Sequence, residues 1–340
     1  MSTPPRRTSM ADVAARSGVS YQTVSRVLNT PEVVRPGTRD RVLEAISELG
    51  YTPNRAARAL KTTRSSLLGV LNDGSSLFGP TETTTAIENA ARAAGYSVLL
   101  TTVGASEAGQ RGVVPELLGS GVDGILVVAP HEAMIPVVES AAQHTPVLAV
   151  SADLPGVPGV EAVGVDQQRG ARDVVEHLVR TGARSVVHLS GPSDWFDARD
   201  RRTGFEMALE SNRIDGDVFG PGDWTPRSGY EMANSLATKG LPDAIFAAND
   251  MMAIGVLHAL HELGLRVPED VAVVGFDNTL GAEFLIPALT TVSQPFAELG
   301  RTALRRLVDA LENRVIPADV PHALPPRLAV RRSTRPERTH

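Results

Sequence analysis

The spacing of apolar residues changes once along the chain, close to residue 66. Before that point apolar residues recur three and four positions apart, as they do on one face of a helix. After it, short apolar runs of strand length alternate with helical patterns. The predicted strands are 67–71, 96–103, 124–129, 146–150, 162–165, 185–189, 244–248 and 271–276, and the predicted helices are 83–94, 171–180, 205–212, 229–238 and 251–263. Continuous apolar strands joined by crossover helices indicate two parallel α/β lobes behind a small helical head.

Residues 10–29 of the head have the pattern of two short helices with a tight break between them. Gly18 is placed to end the first helix, and Ser20 is placed to cap the second. Val24, Val27 and Leu28 fall on one side of the second helix. Its other side is polar and carries Tyr21, Gln22, Ser25, Arg26 and Asn29. Such a helix fits a DNA major groove, but an ordinary amphipathic helix pair has the same spacing, so spacing alone leaves both interpretations open.

Charge is distributed unevenly between the head and the body. The 340 residues carry a net charge of −6, yet residues 1–64 hold 11 Lys/Arg against 5 Asp/Glu, a net charge of +6. A basic head on an acidic body is typical of a DNA-binding module attached to a domain that does not touch DNA. Chance clustering is the simpler alternative.

Composition limits the classes of protein that fit. The chain has no cysteine, which removes disulfides and thiolate chemistry. Arg6 and Arg7 are followed by no apolar segment of a signal peptide, and no apolar run approaches about 18 residues. We therefore expect a cytoplasmic, nucleoid-associated protein with no membrane contact.

Polar residues follow several predicted strands of the body. These residues are Asp73, Asp153, Asn249 and Asp277. Ligands of open α/β sheets bind beyond the carboxyl ends of the strands, and carboxylates and amides suit a polyhydroxylated ligand. Taken singly, each residue is better explained as a helix N-cap than as a ligand contact.

The order of residues resembles the LacI-type family of bacterial transcriptional regulators from residue 9 to about 333. In the head the resemblance is carried by three segments: 19–27 (VSYQTVSRV), 34–39 (VRPGTR) and 53–60 (PNRAARAL). The second segment leads into a third predicted helix at 39–49, with Val42, Leu43 and Ile46 on one face. It implies that Tyr21, Gln22 and Arg26 read bases, and Gln22 and Arg26 are suited to adenine and guanine. It implies backbone contacts from Thr8, Ser9, Ser20, Thr23, Ser25, Asn29 and Arg39. It also implies a hinge helix that enters the minor groove with Asn54, Ala57 and Leu60.

The body resembles the same family, which has a periplasmic-binding-protein-like architecture. The matching segments are 198–205, 222–225, 248–250, 275–279 and 289–296. The resemblance implies an effector site formed by Asp73, Leu77, Pro80, Asp153, Arg199, Trp224, Asn249, Asp277, Gln294 and Phe296. Trp195 has no clear counterpart in the family and is a candidate second aromatic platform.

The resemblance also implies the domain organisation. Residues 1–51 form the helix-turn-helix domain, 52–65 the hinge helix and linker, and 66–340 the effector-binding and dimerisation domain. In that domain the first lobe comprises about 66–164 and 292–321, and the second about 165–291 and 322–333. A basic segment from Arg331 to residue 340 is expected to be a disordered tail.

The sequence therefore predicts a homodimeric repressor that a small sugar, a galactoside or related glycoside, releases from a palindromic operator. No cofactor, metal or catalytic residue is expected, because metal-ligand spacings, GxSxG and GxGxxG motifs are absent from the sequence. The alternatives are a soluble sugar-binding protein of the periplasmic type and a corepressor-dependent regulator of the same family.

Overall fold

A computed structural model of the chain describes residues 8–51, 64–103, 107–128, 131–151, 154, 157–314 and 322–336. The chain divides into two compact units, Met1–Ser65 and Ser66–His340. Within the described ranges, no helix is long and apolar enough to cross a membrane.

The described part of the first unit contains three α-helices: α1 (Met10–Ser17), α2 (Tyr21–Asn29) and α3 (Pro36–Glu48). Gly18 ends α1 with a φ of 66°, a left-handed conformation that glycine adopts without strain. Ser20 caps α2, and its hydroxyl accepts a hydrogen bond from the Thr23 backbone N–H at 3.2 Å. The helices share one small core, formed by Val13, Ala14, Val24, Val27, Val42, Ala45 and Tyr51. The predicted pair of short helices and the residues at its break are confirmed.

The third helix differs from its prediction in its start and in its buried face. It begins at Pro36, where 39 was predicted, and it buries Val42 and Ala45. Leu43 was predicted to share one face with Val42 and Ile46, but 49% of its surface is exposed whereas Val42 is buried. Successive helical residues are about 100° apart, so Leu43 lies to one side of the stripe that Val42 and Ala45 define.

One lobe of the second unit is built on a mainly apolar parallel sheet. Its strands are β1 (Leu67–Asn72), β2 (Ser97–Thr102), β3 (Gly124–Val128), β4 (Val147–Val150), β5 (Glu161–Val165) and β11 (Ala323–Leu324), in the order β11-β5-β4-β3-β1-β2. The helices packed on it are α4 (Phe78–Ala93), α5 (Glu107–Gly119), α6 (Ile135–Ala142) and α11 (Phe296–Leu311). We call this part the first lobe.

The second lobe repeats the arrangement. Its strands are β6 (Ser185–Leu189), β7 (Asp215–Phe219), β8 (Ala244–Ala247), β9 (Ala272–Asp277), β10 (Thr290–Ser293) and β12 (Arg327–Ala329), in the order β12-β10-β9-β8-β6-β7. Its helices are α7 (Gln167–Arg180), α8 (Phe196–Asn212), α9 (Pro226–Lys239) and α10 (Asp250–Glu262). The strand pairs are parallel except for β12, which runs antiparallel to β10. The predicted two-lobe α/β body is confirmed.

Several elements lie outside the predicted pattern. The pattern missed α5, α6, α11, β7, β10 and β11, and it started most helices of the body several residues late. β7 has the sequence DGDVF and lies at an exposed edge of its sheet, so it lacks the apolar run of a buried strand. The first turns of α7 and α8 are rich in polar residues, which hides the helix start from a search for apolar periodicity.

The chain passes between the lobes after β5, after β10 and between β11 and β12. The first passage lies within one residue of the predicted boundary at 164/165. The second lies after Ser293, because β10 pairs with β9. The third lies after Leu324, because β11 pairs with β5, so the assignment of 322–324 to the second lobe is corrected.

The C-terminal segment packs into the second lobe as far as the described residues extend. Ser333 is fully buried and donates a hydrogen bond to the Val273 carbonyl at 2.6 Å. The Thr334 hydroxyl lies 2.9 Å from His177 Nε2. The prediction of a disordered basic tail is therefore wrong for 331–336, and 337–340 lie outside the described residues.

Candidate functional site

The first unit exposes the polar side of α2. Tyr21 is 54% exposed, and Gln22 and Arg26 are exposed on the same helix, while Val24 and Val27 are buried. A short exposed helix with amide and guanidinium groups has the shape and the hydrogen-bonding groups to read base edges in a major groove.

The hydroxyls predicted to contact phosphates are engaged at helix ends. Thr8 Oγ1 donates to the Leu49 carbonyl at 3.1 Å. Ser9 caps α1 in a reciprocal pairing with Asp12, and Ser20 Oγ lies 3.0 Å from Thr23 Oγ1. These contacts account for the residues structurally, so their contact with phosphate stays a prediction.

The other predicted DNA residues are placed in part. The Ser25 side chain is half-buried, and Arg39 Nε lies 3.8 Å from the Asp40 carboxylate. Asn29 is the last residue of α2, and its side chain lies outside the described part. The hinge residues Asn54, Ala57 and Leu60 also lie outside the described residues.

In the second unit a cavity that is partly open to solvent lies between the two lobes, and the space in it, open solvent included, is about 630 Å³. It collects residues from the carboxyl ends of strands in both sheets, as expected for open α/β folds. Its polar lining residues are Thr83, Ser151, Asp197, Arg201, Asn249, Asp277 and Gln294, and its apolar and aromatic lining includes Leu77, Phe78, Pro80, Trp195, Trp224, Phe296 and Leu299.

Arg201 is the basic residue among the side chains described as lining this cavity. It is 3% exposed and donates hydrogen bonds to Gln167 Oε1 at 3.0 Å and to the Ala248 carbonyl. Its guanidinium lies over the Phe276 ring, 3.7 Å from the ring centre. Burial lowers the pKa of Arg201, and nearby Asp277 opposes that shift. The guanidinium has five donors, so it can still donate to a ligand oxygen.

Arg199, which was predicted to contact the sugar, does not line the cavity. Its Nε donates to the Ser193 carbonyl at 2.6 Å, and its guanidinium pairs with Glu132. Two residues span about 200° on a helix, so Arg199 and Arg201 leave α8 on opposite sides. The sequence does contain a signal for Arg201, because it shares the buried three- and four-residue spacing of Ala198 and Phe205.

Gln167, at the start of α7, connects the polar groups of the cavity and was missed by the sequence analysis. It accepts from Arg201, and its Nε2 lies 3.3 Å from Asp197 Oδ2 and 3.2 Å from Gln294 Oε1. Asp197 also accepts from the Ser151 hydroxyl of the first lobe at 3.2 Å. One amide therefore connects two groups of α8 with Gln294, and Asp197 extends the connection to the first lobe.

Asp277 lies at the end of β9 in an unusual backbone conformation. Its φ is 105°, and that of Asn278 is 55°, in the region that favours glycine. Strained backbone of this kind concentrates at functional sites. Gln294 Nε2 donates to the Asp277 carboxylate at 2.7 Å, and burial raises the pKa of Asp277 to about 7 although Arg201 opposes the shift.

Asp250, the residue after Asn249, holds the turn that follows Asp277. Its carboxylate accepts from the Thr291 hydroxyl at 2.5 Å and from the Thr279 N–H at 2.7 Å. Burial raises the pKa of Asp250 to about 6, against the effect of those hydrogen bonds. Asp250 positions the turn and does not itself line the cavity.

Asn249 and Trp224 form a second structural pair. Asn249 caps α10 by accepting from Met252 N–H at 2.8 Å, and its Nδ2 donates to the Trp224 carbonyl at 3.1 Å. Any side chain at Gly191 would overlap the Trp224 ring, so glycine allows the indole to pack on the backbone there. The cap interpretation of Asn249 is therefore correct, and the cap also fixes the aromatic wall.

The remaining predicted effector residues are divided. Leu77, Pro80 and Phe296 line the cavity from the first-lobe side. Asp73 does not line it, and its carboxylate accepts from the Ser75 N–H at 3.0 Å in a local turn. Asp153 lies outside the described residues, and Ser151 of the same segment lines the cavity. Among the described residues, no group of three acidic or histidine side chains is arranged to hold a metal ion.

Comparison with known proteins gives a consistent result. Residues 9–54 match a family model for bacterial regulatory proteins of the lacI family, and 175–334 match a periplasmic binding protein-like domain. The lactose operon repressor of Escherichia coli (strain K12) is 35% identical over 326 residues, 95% of this chain and 89% of that protein. A crystal structure of the lac repressor dimer bound to operator and the anti-inducer ONPF superposes with a TM-score of 0.82 at 35% identity, covering 97% of this chain and 100% of that one. The transcriptional regulator CelR in complex with cellobiose gives a TM-score of 0.71 at 33% identity, covering 96% and 100%.

Proposed function

Because the chain belongs to the LacI family of bacterial regulatory proteins, we propose that it is a DNA-binding repressor that a small sugar releases from a palindromic operator. The observation that carries the proposal is a single chain with an exposed polar recognition helix in one unit and a polar-aromatic cavity in the other. A sugar-binding protein without a regulatory role has no use for the first unit.

The proposed base contacts follow from the exposed face of α2, and the other proposed DNA contacts follow from the family resemblance. Gln22 pairs with adenine and Arg26 with guanine, while Tyr21 contacts base and phosphate. Thr8, Ser9, Ser20, Thr23, Ser25, Asn29 and Arg39 contact the backbone. Asn54, Ala57 and Leu60 act in the minor groove, where Leu60 inserts at the operator centre.

The proposed ligand is a glycoside, with a galactoside as the first candidate. Sugar hydroxyls both donate and accept hydrogen bonds, which matches a wall where Arg201 donates and Asp197 and Asp277 accept. Trp224 offers an aromatic surface for the apolar face of a pyranose. The support from relatives is that one is the lactose operon repressor and another was crystallised with cellobiose.

The proposed homodimer is supported by an apolar surface on the second lobe. Leu280, Phe284 and Ile286 are 85%, 77% and 97% exposed within a few residues of one another. Clustered exposed apolar side chains mark interaction sites, and a second copy suits them because a palindrome needs two recognition helices.

The test uses the full-length protein and its own promoter fragment. We expect fluorescence anisotropy to report salt-sensitive operator binding that a sugar reverses, after lactose, cellobiose and methyl β-galactoside have been ranked by the melting temperature they confer. A scrambled duplex is the DNA control. Binding that sugar strengthens would identify a corepressor system, and equal affinity for scrambled DNA would contradict specific operator recognition.

A further inference from the structure

The two lobes touch at one edge of the cavity through a compact set of contacts. His131 of the first lobe forms an isolated antiparallel bridge with Trp195 of the second. The Glu132 N–H donates to the Asp194 carbonyl at 3.1 Å. The segments that meet are 131–132, soon after β3, and 194–199, at the start of α8.

An ion pair spans the same junction. The Arg199 guanidinium donates to the Glu132 carboxylate, and its Nε donates to the Ser193 carbonyl at 2.6 Å. The Arg199 and Glu132 side chains are 43% and 55% exposed. An isolated exposed ion pair contributes little to stability. Here the Ser193 carbonyl already orients the Arg199 guanidinium beside the backbone bridge, so the side chain loses less conformational entropy when the ion pair forms.

Trp195 belongs both to this junction and to the cavity. Its ring stacks on His131 with centroids 5.6 Å apart, and it meets the Trp224 ring edge to face at 5.7 Å. Both indoles line the cavity. A ligand that displaces Trp224 or Trp195 therefore acts directly on a side chain that packs against the first lobe.

We propose that Glu132, Arg199 and the His131–Trp195 stack form a latch that closes one edge of the cavity and slows release of the bound ligand. Trp195 connects the latch to ligand occupancy, and Glu132 and Arg199 are positioning residues that hold it closed. The proposal rests on the proposed function in one respect, namely that the cavity binds a ligand. Neither Glu132 nor Arg199 lines the cavity, so an effect of either on ligand release runs through the contact between the lobes.

The kinetic test compares Glu132→Gln, Arg199→Gln, the double variant and the charge exchange Glu132→Arg with Arg199→Glu in the full-length protein. Arg202→Gln is the matched control, since Arg202 is an exposed arginine of the same helix and pairs with Glu206 within α8. Stopped-flow tryptophan fluorescence measures dissociation of whichever of lactose, cellobiose and methyl β-galactoside binds the wild type.

We expect each single variant to release the sugar about three to ten times faster, the double variant to be no faster than the singles, and the charge exchange to recover at least half of the loss. The control keeps the wild-type rate. Unchanged release from Glu132→Gln, with slower or faster release confined to Arg199→Gln, overturns the latch and returns Arg199 to direct ligand contact.

A ligand-free measurement separates failure of the latch from failure of the proposed function. The chain has two tryptophans, and Trp224 is only 7% exposed, so acrylamide quenching reports mainly on Trp195. We expect a higher quenching constant in Glu132→Gln and Arg199→Gln and an unchanged one in Arg202→Gln. Equal quenching constants in the wild type and all variants refute the latch. If the quenching constants rise as expected but the wild type binds no sugar, only the proposed ligand class is refuted.

Discussion

The Arg201 guanidinium lies 3.7 Å from the centre of the Phe276 ring, so a cation of the cavity wall is held against an aromatic surface. Its hydrogen bonds to Gln167 and to the Ala248 carbonyl fix it from the other sides. A guanidinium held in this way donates to a ligand in one geometry, which favours discrimination between hydroxyl configurations.

Replacing Arg201 by alanine is expected to yield a repressor that binds operator and does not respond to sugar. Lost charge-assisted hydrogen bonds cost roughly 1.5–3 kcal/mol, which is a tenfold or larger loss of sugar affinity. Isothermal titration with the best sugar measures the affinity, and anisotropy measures operator binding. Arg202→Ala, an exposed change on the same helix, is the control; sugar affinity within twofold of the wild type in Arg201→Ala would remove Arg201 from the ligand site.

Replacing Arg26 by alanine is expected to weaken binding to the operator by roughly 1–3 kcal/mol and to relax the preference at one base pair in each half-site. Binding to random duplex should change little. Arg39→Ala is the contrasting variant, with similar losses on both DNAs and a shallower dependence on salt. Anisotropy titrations on the operator and on the random duplex at several salt concentrations measure these affinities. If Arg26→Ala lost the same affinity on both duplexes, Arg26 would be a backbone contact.

Replacing Ile286 by aspartate is expected to weaken the dimer at least tenfold, because a charge would be buried against the partner's apolar surface. Operator affinity should fall with it, since a monomer presents one recognition helix. Sedimentation equilibrium measures the association. Met207→Asp is the control, because Met207 is 56% exposed and lies on α8, away from this loop in the chain; a wild-type dimer in Ile286→Asp would place the interface elsewhere.

Asp277 should make the second unit less stable as the pH rises. Its pKa is raised from 3.8 to about 7 by burial, so the folded protein holds this proton more tightly than the unfolded chain. Stability is then lost between pH 4 and pH 7, by about 2–4 kcal/mol in total. Asp277→Asn should remove most of that loss, whereas the exposed Asp215→Asn on β7 should not.

Urea unfolding at pH 5 and pH 8, followed by tryptophan fluorescence, tests this because both tryptophans lie in the second unit. An identical pH dependence in Asp277→Asn and the wild type would mean that the carboxyl is ionised throughout. His188 contributes in the opposite direction between about pH 3 and pH 6.5, because burial lowers its pKa from 6.5 to about 3 and the unfolded chain therefore binds this proton more tightly than the folded protein does. The Asp277→Asn variant isolates the Asp277 contribution, because His188 is unchanged in it.

The family resemblance and the apolar pattern were enough to predict the helical head, the two α/β lobes and a cavity at the strand ends. The break at Gly18 and the cap at Ser20 are local effects of backbone conformation and hydrogen bonding within three residues, so they can be inferred from neighbouring letters. Apolar strands such as β3 can also be predicted from the sequence, because a strand buried on both faces requires an unbroken apolar run.

The tertiary structure replaced Arg199 by Arg201 in the cavity wall, because a rotation of about 200° around α8 sends the two arginines to different surroundings. The spacing of Arg201 with Ala198 and Phe205 was a sequence signal for this, but the family resemblance pointed to Arg199. The tertiary structure also revealed Gln167, Asp197 and Asp250, whose partners lie far away in the chain. The burial of Ser333 and Thr334 also depends on distant partners. A polar, basic sequence does not show that the Ser333 hydroxyl bonds to the Val273 carbonyl and the Thr334 hydroxyl to the Thr290 hydroxyl. Residue type and periodicity determined which elements form, and long-range packing decided which polar side chains meet.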